Sequence, residues 1–315
     1  MNTVDDPFDE VLPADHRSGY VAVVGRPNTG KSTLINAILG QKIAIVSPRP
    51  QTTHRQQLGI LTEAEVQVVF VDTPGLHEPR HRLGQHMVRA ASDALRDADV
   101  VLWLLDVSRS PNDEDRSIAE RIAQRHGDVP VVLALNKADL LPDPPAEAAG
   151  DAHRALVAHE HAHLLSALHN QGVADLVTRL RGMLPPGPRY FPADQVSEVN
   201  LRFIAAEVVR EKVMLATSQE IPHAVAVEVD EYRERSAKRS YISAILYVER
   251  ESQKGILVGK GGRMIRDLGR AARLELEGML ETRIYLELRV KVRRNWRKDD
   301  EFLRRLGYRI PRRAI

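Results

Sequence analysis

Short apolar runs alternate with amphipathic stretches through the first 186 residues. Tyr20–Val24 (YVAVV), Val66–Val71 (VQVVFV), Val100–Leu105 (VVLWLL) and Val131–Leu135 (VVLAL) are β-prone and nearly free of polar interruption. That is the pattern of strands buried on both faces. His163–Leu165 predicts a short fifth strand. Leu83–Arg96 and Arg116–Arg125 carry apolar residues at helical spacing, and another helical pattern opens at Lys31. Strands alternating with helices predict an α/β fold with a mostly parallel sheet. In such sheets ligands meet the carboxyl ends of the strands, and Gly25, Asp72 and Asn136 each stand at one.

The pattern changes after residue 186. Leu201–Ala216 has helical spacing, and Ala224–Glu231 alternates like a strand. Tyr241–Arg250 reads as a second strand. A Gly-Lys-Gly-Gly turn at residues 259–262 then opens an amphipathic helix with Ile265 and Leu268 on one side, and Arg283–Val292 closes the series as a third strand. Between the halves, Leu184–Gln195 contains four prolines and a glycine, the composition of a linker.

Charge follows the same division. The net charge of +2 is the balance of about −6 before residue 187 and about +8 after it. A basic second half points to a polyanionic partner, with a solvated basic tail as the plainer alternative. The chain has no cysteine, which excludes disulfides, thiolate nucleophiles, zinc fingers and iron–sulfur clusters. Its longest apolar runs are far short of the roughly 20 residues of a membrane span. The acidic stretch Met1–His16 lacks the apolar core of a secretory signal and is expected to be disordered.

Three motifs carry chemistry in the first half. Gly25-Arg26-Pro27-Asn28-Thr29-Gly30-Lys31-Ser32 fits GxxxxGK[ST], with Thr33 next to it as a further candidate nucleotide-binding residue. Glycines turn backbone N–H groups toward phosphate oxygens, and the following helix adds its positive dipole end. Lys31 would reach the β- and γ-phosphates and Ser32 would ligate Mg²⁺. Asp72-Thr73-Pro74-Gly75 follows the second strand: Asp72 would hold the Mg²⁺ shell through water, and the Gly75 N–H would meet the γ-phosphate. Asn136-Lys137-Ala138-Asp139 follows the fourth strand. Asp139 could accept from both N1–H and the exocyclic amine of guanine, an arrangement that rejects adenine. The Lys137 stem could cover one face of the base. Histidines 153, 159, 161, 163 and 169 invite a metal-site reading, but no carboxylate set accompanies them, and they are expected on the surface and in loops.

The three motifs in this order resemble the translation-factor-related GTPases. Gln41–Arg55 (QKIAIVSPRPQTTHR), Asn28 within the phosphate loop, and Ser166-Ala167-Leu168 narrow the resemblance to the Era-type GTPases. The second half, with its GxxG turn, resembles a type-two KH domain, and Val290–Tyr308 is similar to the C-terminal segment of the same family. The resemblance implies an α/β P-loop GTPase domain over residues 17–186, a linker over 187–194 and a smaller α+β KH domain over 195–315. It implies GTP and GDP as ligands, Mg²⁺ as cofactor and a potassium ion held partly by Asn28. Ser166 and Ala167 would contact guanine through their backbone. Thr53 would meet Mg²⁺ in the GTP state, with Thr52 as the alternative. Leu76 stands where many GTPases carry a water-orienting Gln, so another group must place the water; His77 is a weak candidate for a base.

For the second half the resemblance implies RNA binding at Gly259, Lys260, Gly261, Gly262 and Arg263. The implied partners are the 3′ end of small-subunit ribosomal RNA and the small ribosomal subunit, in the service of its maturation. The resemblance further implies a monomer in the cytoplasm with peripheral contact to the inner face of the cell membrane. Two rivals remain: a P-loop kinase using ATP, against which the NKAD motif argues, and an RNA-binding scaffold with a structural nucleotide site.

Overall fold

A computed structural model of the chain describes residues 12–44, 57–74, 82–124, 129–142, 150–193, 195–197, 201–217, 221–236, 238–308 and 310. The chain forms two compact units, most of it before residue 199 in the first and the rest in the second. The first holds β1 (Arg17–Val24), α1 (Lys31–Leu39), β2 (Gln57–Thr62), β3 (Val66–Asp72), α2 (Arg82–Asp97), of which the part from Met87 on groups here, β4 (Val100–Asp106), α3 (Asp113–Ala123), β5 (Val131–Asn136), α4 (Asp151–Arg154), β6 (His161–Leu164) and α5 (Val173–Met183). The strands form one sheet in the order β2-β3-β1-β4-β5-β6. Only β2 runs antiparallel to its neighbour.

The central strands are buried throughout because both faces of the sheet are covered. On β4, Val100, Leu102 and Leu104 join Leu34 of α1 and Leu176 and Leu180 of α5. The alternate residues Val101, Trp103 and Leu105 join Ala91 and Leu95 of α2 and Ile118 and Ile122 of α3. Period-two side chains on a two-sided sheet therefore leave no polar position along the strand. Polar residues concentrate where each parallel strand ends, along one edge of the sheet.

Residues 184–193 and 195–197, expected in large part as a linker, are fastened along the first unit. Arg17 and Pro186 form an isolated bridge, and the His16 ring nitrogen Nδ1 lies 2.7 Å from the Gly187 carbonyl oxygen. Gln67 of β3, fully buried, donates to Phe191 O (2.9 Å) and accepts from Tyr190 N (2.7 Å) and Phe191 N (3.0 Å). Tyr190 stacks on Tyr20 with ring centroids 5.3 Å apart. Ile60 N donates to Val196 O at 2.8 Å. His16 is itself buried beneath this strap, in contrast to the disorder expected of the stretch it ends.

The second unit holds α6 (Leu201–Ala216), α7 (Ile221–Ala224), β7 (Ala226–Ser236), β8 (Arg239–Val248), α8 (Glu251–Val258), α9 (Arg263–Leu280), β9 (Arg283–Val292) and α10 (Asp300–Arg305). Its sheet order is β7-β8-β9, with β8 antiparallel to β7 and parallel to β9. Ile242, Ala244, Leu246, Val248 and Ile284 face Val209, Val213, Leu257, Leu268, Ala272 and Leu276 of the covering helices. A parallel β8–β9 pair needs a crossover, which α8 and α9 supply. Among the described residues no helix is long and apolar enough to cross a membrane.

Replacing Gln67 with Ala would leave the Tyr190 and Phe191 N–H groups without an acceptor. We expect the first unit to lose about 2–4 kcal/mol in urea unfolding, with early proteolysis within 187–197, since buried orphaned donors carry their full desolvation cost. Unchanged stability would mean that the strap contributes nothing.

Candidate functional site

The phosphate loop leaves β1 at Gly25, whose φ of +150° is accompanied by close packing. A Cβ there would lie 2.5 Å from the Leu104 carbonyl oxygen, so only glycine fits. Asn28 takes a left-handed φ of 65°, and Gly30 at φ 102° precedes the first turn of α1. Thr29 Oγ1 donates to Arg26 O at 3.0 Å. Lys31 is buried, and its Nζ donates to Gly25 O (2.9 Å) and Arg26 O (3.0 Å). Burial pushes the Lys31 ammonium down to about 8, with Asp72 pulling the other way. Pro27 and Thr33 lie within the loop and the first turn of α1.

The end of β3 faces the start of α1. Ser32 Oγ donates to Asp72 Oδ2 at 3.0 Å, so a hydroxyl and a carboxylate meet beside the phosphate loop. Thr73 Oγ1 donates to Val23 O at 2.8 Å, which pins the beginning of the DTPG segment to β1. Pro74 is the last described residue of that motif. Thr53, its alternative Thr52, Gly75, Leu76 and His77 lie outside the described residues.

At the end of β5, Asn136 joins three segments through one side chain. Its Nδ2 donates to Thr29 O in the phosphate loop at 2.7 Å. Its Oδ1 accepts from Ala167 N in the SAL segment at 2.9 Å. Lys137 follows with a left-handed φ of 68°, and its Nζ donates to Asp106 Oδ2 at 2.6 Å. Burial of Asp106 opposes ionisation, but hydrogen bonds from Lys137 and Ser108 outweigh it and hold the carboxyl below its ordinary range. Ser166 Oγ donates to Asp139 Oδ1 at 2.5 Å, and Ala138 N donates to Leu165 O at 3.1 Å. The NKAD and SAL segments are therefore cross-linked into one surface.

A further layer lies behind the phosphate loop. Arg26 Nε stands 3.2 Å from Asp115 Oδ1, and both side chains are largely removed from solvent. Asp115 Oδ2 accepts from Asn112 N at 3.1 Å, while Asn112 Oδ1 accepts from Asp115 N at 3.0 Å. One carboxylate thus completes the cap of α3 and grips the loop. His153 of α4 is buried beside Arg26, Asp106 and Asp115, a correction to its expected surface position. Burial holds its imidazole below the ordinary range, with Asp115 acting against this. His159, His161, His163 and His169 are at least partly exposed. The Asp106 and Asp115 roles were not read from the sequence. The capping-box spacing Asn112–Asp115 was visible there, but its meeting with Arg26 depends on tertiary placement.

In the second unit, the Gly259–Gly262 turn links α8 to α9. Gly259 has φ 69°, and a Cβ on it would lie 2.9 Å from Met264 N. Gly261 and Gly262 also have left-handed φ values, 61° and 74°. Lys260, Gly261 and Arg263 are exposed, and the 18-residue α9 begins at Arg263 without a side-chain cap. Its first N–H groups are therefore directed at the same surface as the turn.

A family profile described as "50S ribosome-binding GTPase" matches residues 20–137, and a KH-domain profile matches residues 220–297. GTPase Era of Thermotoga petrophila is 43% identical over 285 residues, covering 90% of this chain and 94% of the relative. The chain belongs to the Era family of GTPases. It is a GTPase with a P-loop domain followed by a KH domain. The Thermotoga maritima Era is 44% identical over the same shares. A crystal structure of Era in complex with MgGDPNP and nucleotides 1506–1542 of 16S ribosomal RNA superimposes with a TM-score of 0.86. It is 36% identical and covers 94% of this chain and 100% of that one. A variant of Aquifex aeolicus Era bound to GDP·AlF4⁻ gives a TM-score of 0.85 at 36% identity, covering 93% and 100%.

A Lys31 ammonium lowered to about 8 predicts that nucleotide binding through this residue depends on pH. Polyphosphate favours the ammonium form, so above about pH 8 binding must recruit a proton. GDP affinity should hold steady from pH 6.5 to 7.5 and then fall toward roughly tenfold per unit between pH 8 and 10. Calorimetry in two buffers of different ionisation enthalpy should detect net proton uptake near pH 8. Flat affinity to pH 10 would contradict a lowered Lys31.

Proposed function

We propose that this chain is a GTP-driven switch that binds the 3′-terminal region of small-subunit ribosomal RNA and assists small-subunit maturation in the cytoplasm. The observation that carries the reading is the pairing, in one chain, of an Asn136-braced nucleotide site with an exposed GxxG turn opening α9. The Era relative crystallised with 16S ribosomal RNA supports it.

In this reading the backbone of Gly25–Ser32 cradles the phosphates at the N-terminus of α1. Lys31 exchanges its two loop carbonyls for β- and γ-phosphate oxygens. Ser32 would ligate Mg²⁺ and Asp72 would hold its shell through water, with Thr53 joining them in the GTP state; a hydroxyl beside a carboxylate suits that hard cation. When bound, Mg²⁺ neutralises charge developing on the β,γ-phosphate oxygens. Asp139 receives the two guanine donors, Lys137 covers the base, and Ser166 and Ala167 approach it from the side. Arg26, through Asp115, keeps the loop from relaxing when phosphate charge arrives or leaves.

The GxxG turn binds RNA by close approach. Without Cβ atoms, Gly259, Gly261 and Gly262 let a sugar–phosphate chain reach the backbone N–H groups, while Lys260 and Arg263 supply charge. Base edges are then read along the adjoining helices.

Two measurements test this reading. Asp139→Asn should cost GTP about a hundredfold or more in affinity and favour xanthosine triphosphate, because the amide cannot accept both guanine donors; unchanged nucleotide preference in competition against fluorescent GDP would overturn the assignment. Changing Lys260 and Gly261 together to Asp should weaken binding of a 3′-end ribosomal RNA fragment at least about tenfold and leave GDP affinity unchanged. Wild-type RNA binding by that variant would reduce the turn to a helix start.

A further inference from the structure

The KH sheet has a second face, turned away from the helices. Ile242, Ala244, Leu246 and Ile284 point into the core, so the opposite parity on β8 and β9 points outward. Toward the ends of these strands at Tyr247 this outer face is covered, with Tyr247 packed edge-on against Phe302 at 4.8 Å. Toward their beginnings it is open. There Tyr241 stacks on its register partner Tyr285, with centroids 5.7 Å apart and planes 17° apart. The Arg235 guanidinium lies 5.0 Å from the Tyr241 ring centroid.

The three groups form a short stack that ends in solvent. Tyr285 is 66% exposed, an unusual position for a ring that could have been buried. Arg239 and Arg283, register partners on the same face, are exposed beside it, as are Arg233 and Lys238. The acidic groups on this face are engaged: Glu231 pairs with Arg233, and Glu287 accepts from the Tyr241 hydroxyl at 2.6 Å. A flat π surface bordered by guanidinium groups matches a nucleobase joined to its phosphates.

We propose that the Arg235–Tyr241–Tyr285 stack is a second RNA contact, on which an unpaired base continues the stack over the open face of Tyr285 while Arg239 and Arg283 take the neighbouring phosphates. The proposal rests on the RNA-binding reading above but uses a different face of the sheet from the GxxG turn. The chosen occupant is single-stranded RNA, because stacking tolerates any base and the surrounding charge is basic.

The test compares two labelled RNAs by fluorescence anisotropy with the full chain. One is a 12-nucleotide copy of the 3′ end of small-subunit ribosomal RNA, and the other is the same RNA extended by ten unpaired adenosines. The extension should tighten binding about tenfold. Tyr241→Ala with Tyr285→Ala should remove that gain, leave affinity for the 12-nucleotide RNA unchanged and keep the thermal unfolding of the chain intact. Tyr285→Phe should retain the gain, because the ring is what stacks. No gain on extension, or a gain that survives the double alanine change, would overturn the proposal. Failure of the Lys260 and Gly261 changes to weaken the 12-nucleotide RNA would instead count against the GxxG reading alone. Ultraviolet crosslinking of the extended RNA should place an adduct on Tyr285, and adducts confined to residues 259–263 would also overturn it.

Discussion

The nucleotide site depends on Asn136. Its two amide atoms tie the end of β5 to the phosphate loop at Thr29 and to the SAL segment at Ala167. These segments are separated along the chain by more than a hundred residues on one side and by about thirty on the other. Each bond is modest by itself, on the order of 1 kcal/mol. Their value lies in sharing one buried amide, so the phosphate-loop motif and the NKAD and SAL segments keep a common reference. Lys137, in a left-handed backbone conformation and bonded to Asp106, turns the chain so that Asp139 meets Ser166. These strand-end segments are thus held to one another by hydrogen bonds of the protein itself.

Lys31 stands in tension with that order. A buried ammonium is held by two carbonyls of its own loop, and burial lowers its hold on the proton. In the proposed reading, phosphate would offer full negative charge where the loop offers only dipoles. Behind the loop, Arg26 and Asp115 form an ion pair largely removed from solvent, which ties the loop to the start of α3.

Much of this was legible in the chain. Strands β4 and β5 are continuous apolar runs up to their last residue, β3 is interrupted only by Gln67, and each ends at a polar residue, Asp72, Asp106 or Asn136. The β9 limits Arg283–Val292 were also readable from the alternation. Strand β2 was not: QLGILT is an edge strand interrupted by Gly59, and its pairing is set by β3 rather than by its own pattern. Helix α8 was hidden because ESQKGILV is short, contains a glycine and runs directly into the GxxG turn. Residues 184–197 have the composition of a tether, yet Gln67 supplies them with hydrogen bonds that composition cannot foresee. His153 looked like one of several exposed histidines, and only the approach of α4 to Asp106 and Asp115 buries it.

The bridge between Arg17 and Pro186 has a consequence for how the chain is made. The first strand emerges early from the ribosome, but its neighbours β3 and β4 follow about fifty and eighty residues later. The strap that covers His16 arrives last of all. During synthesis, the Arg17–Pro186 bridge therefore forms only about 170 residues after β1 begins, long after β1 can meet both sheet neighbours. At roughly 5–20 residues per second, that interval is on the order of ten seconds or more. The first unit is complete only when its beginning and end meet.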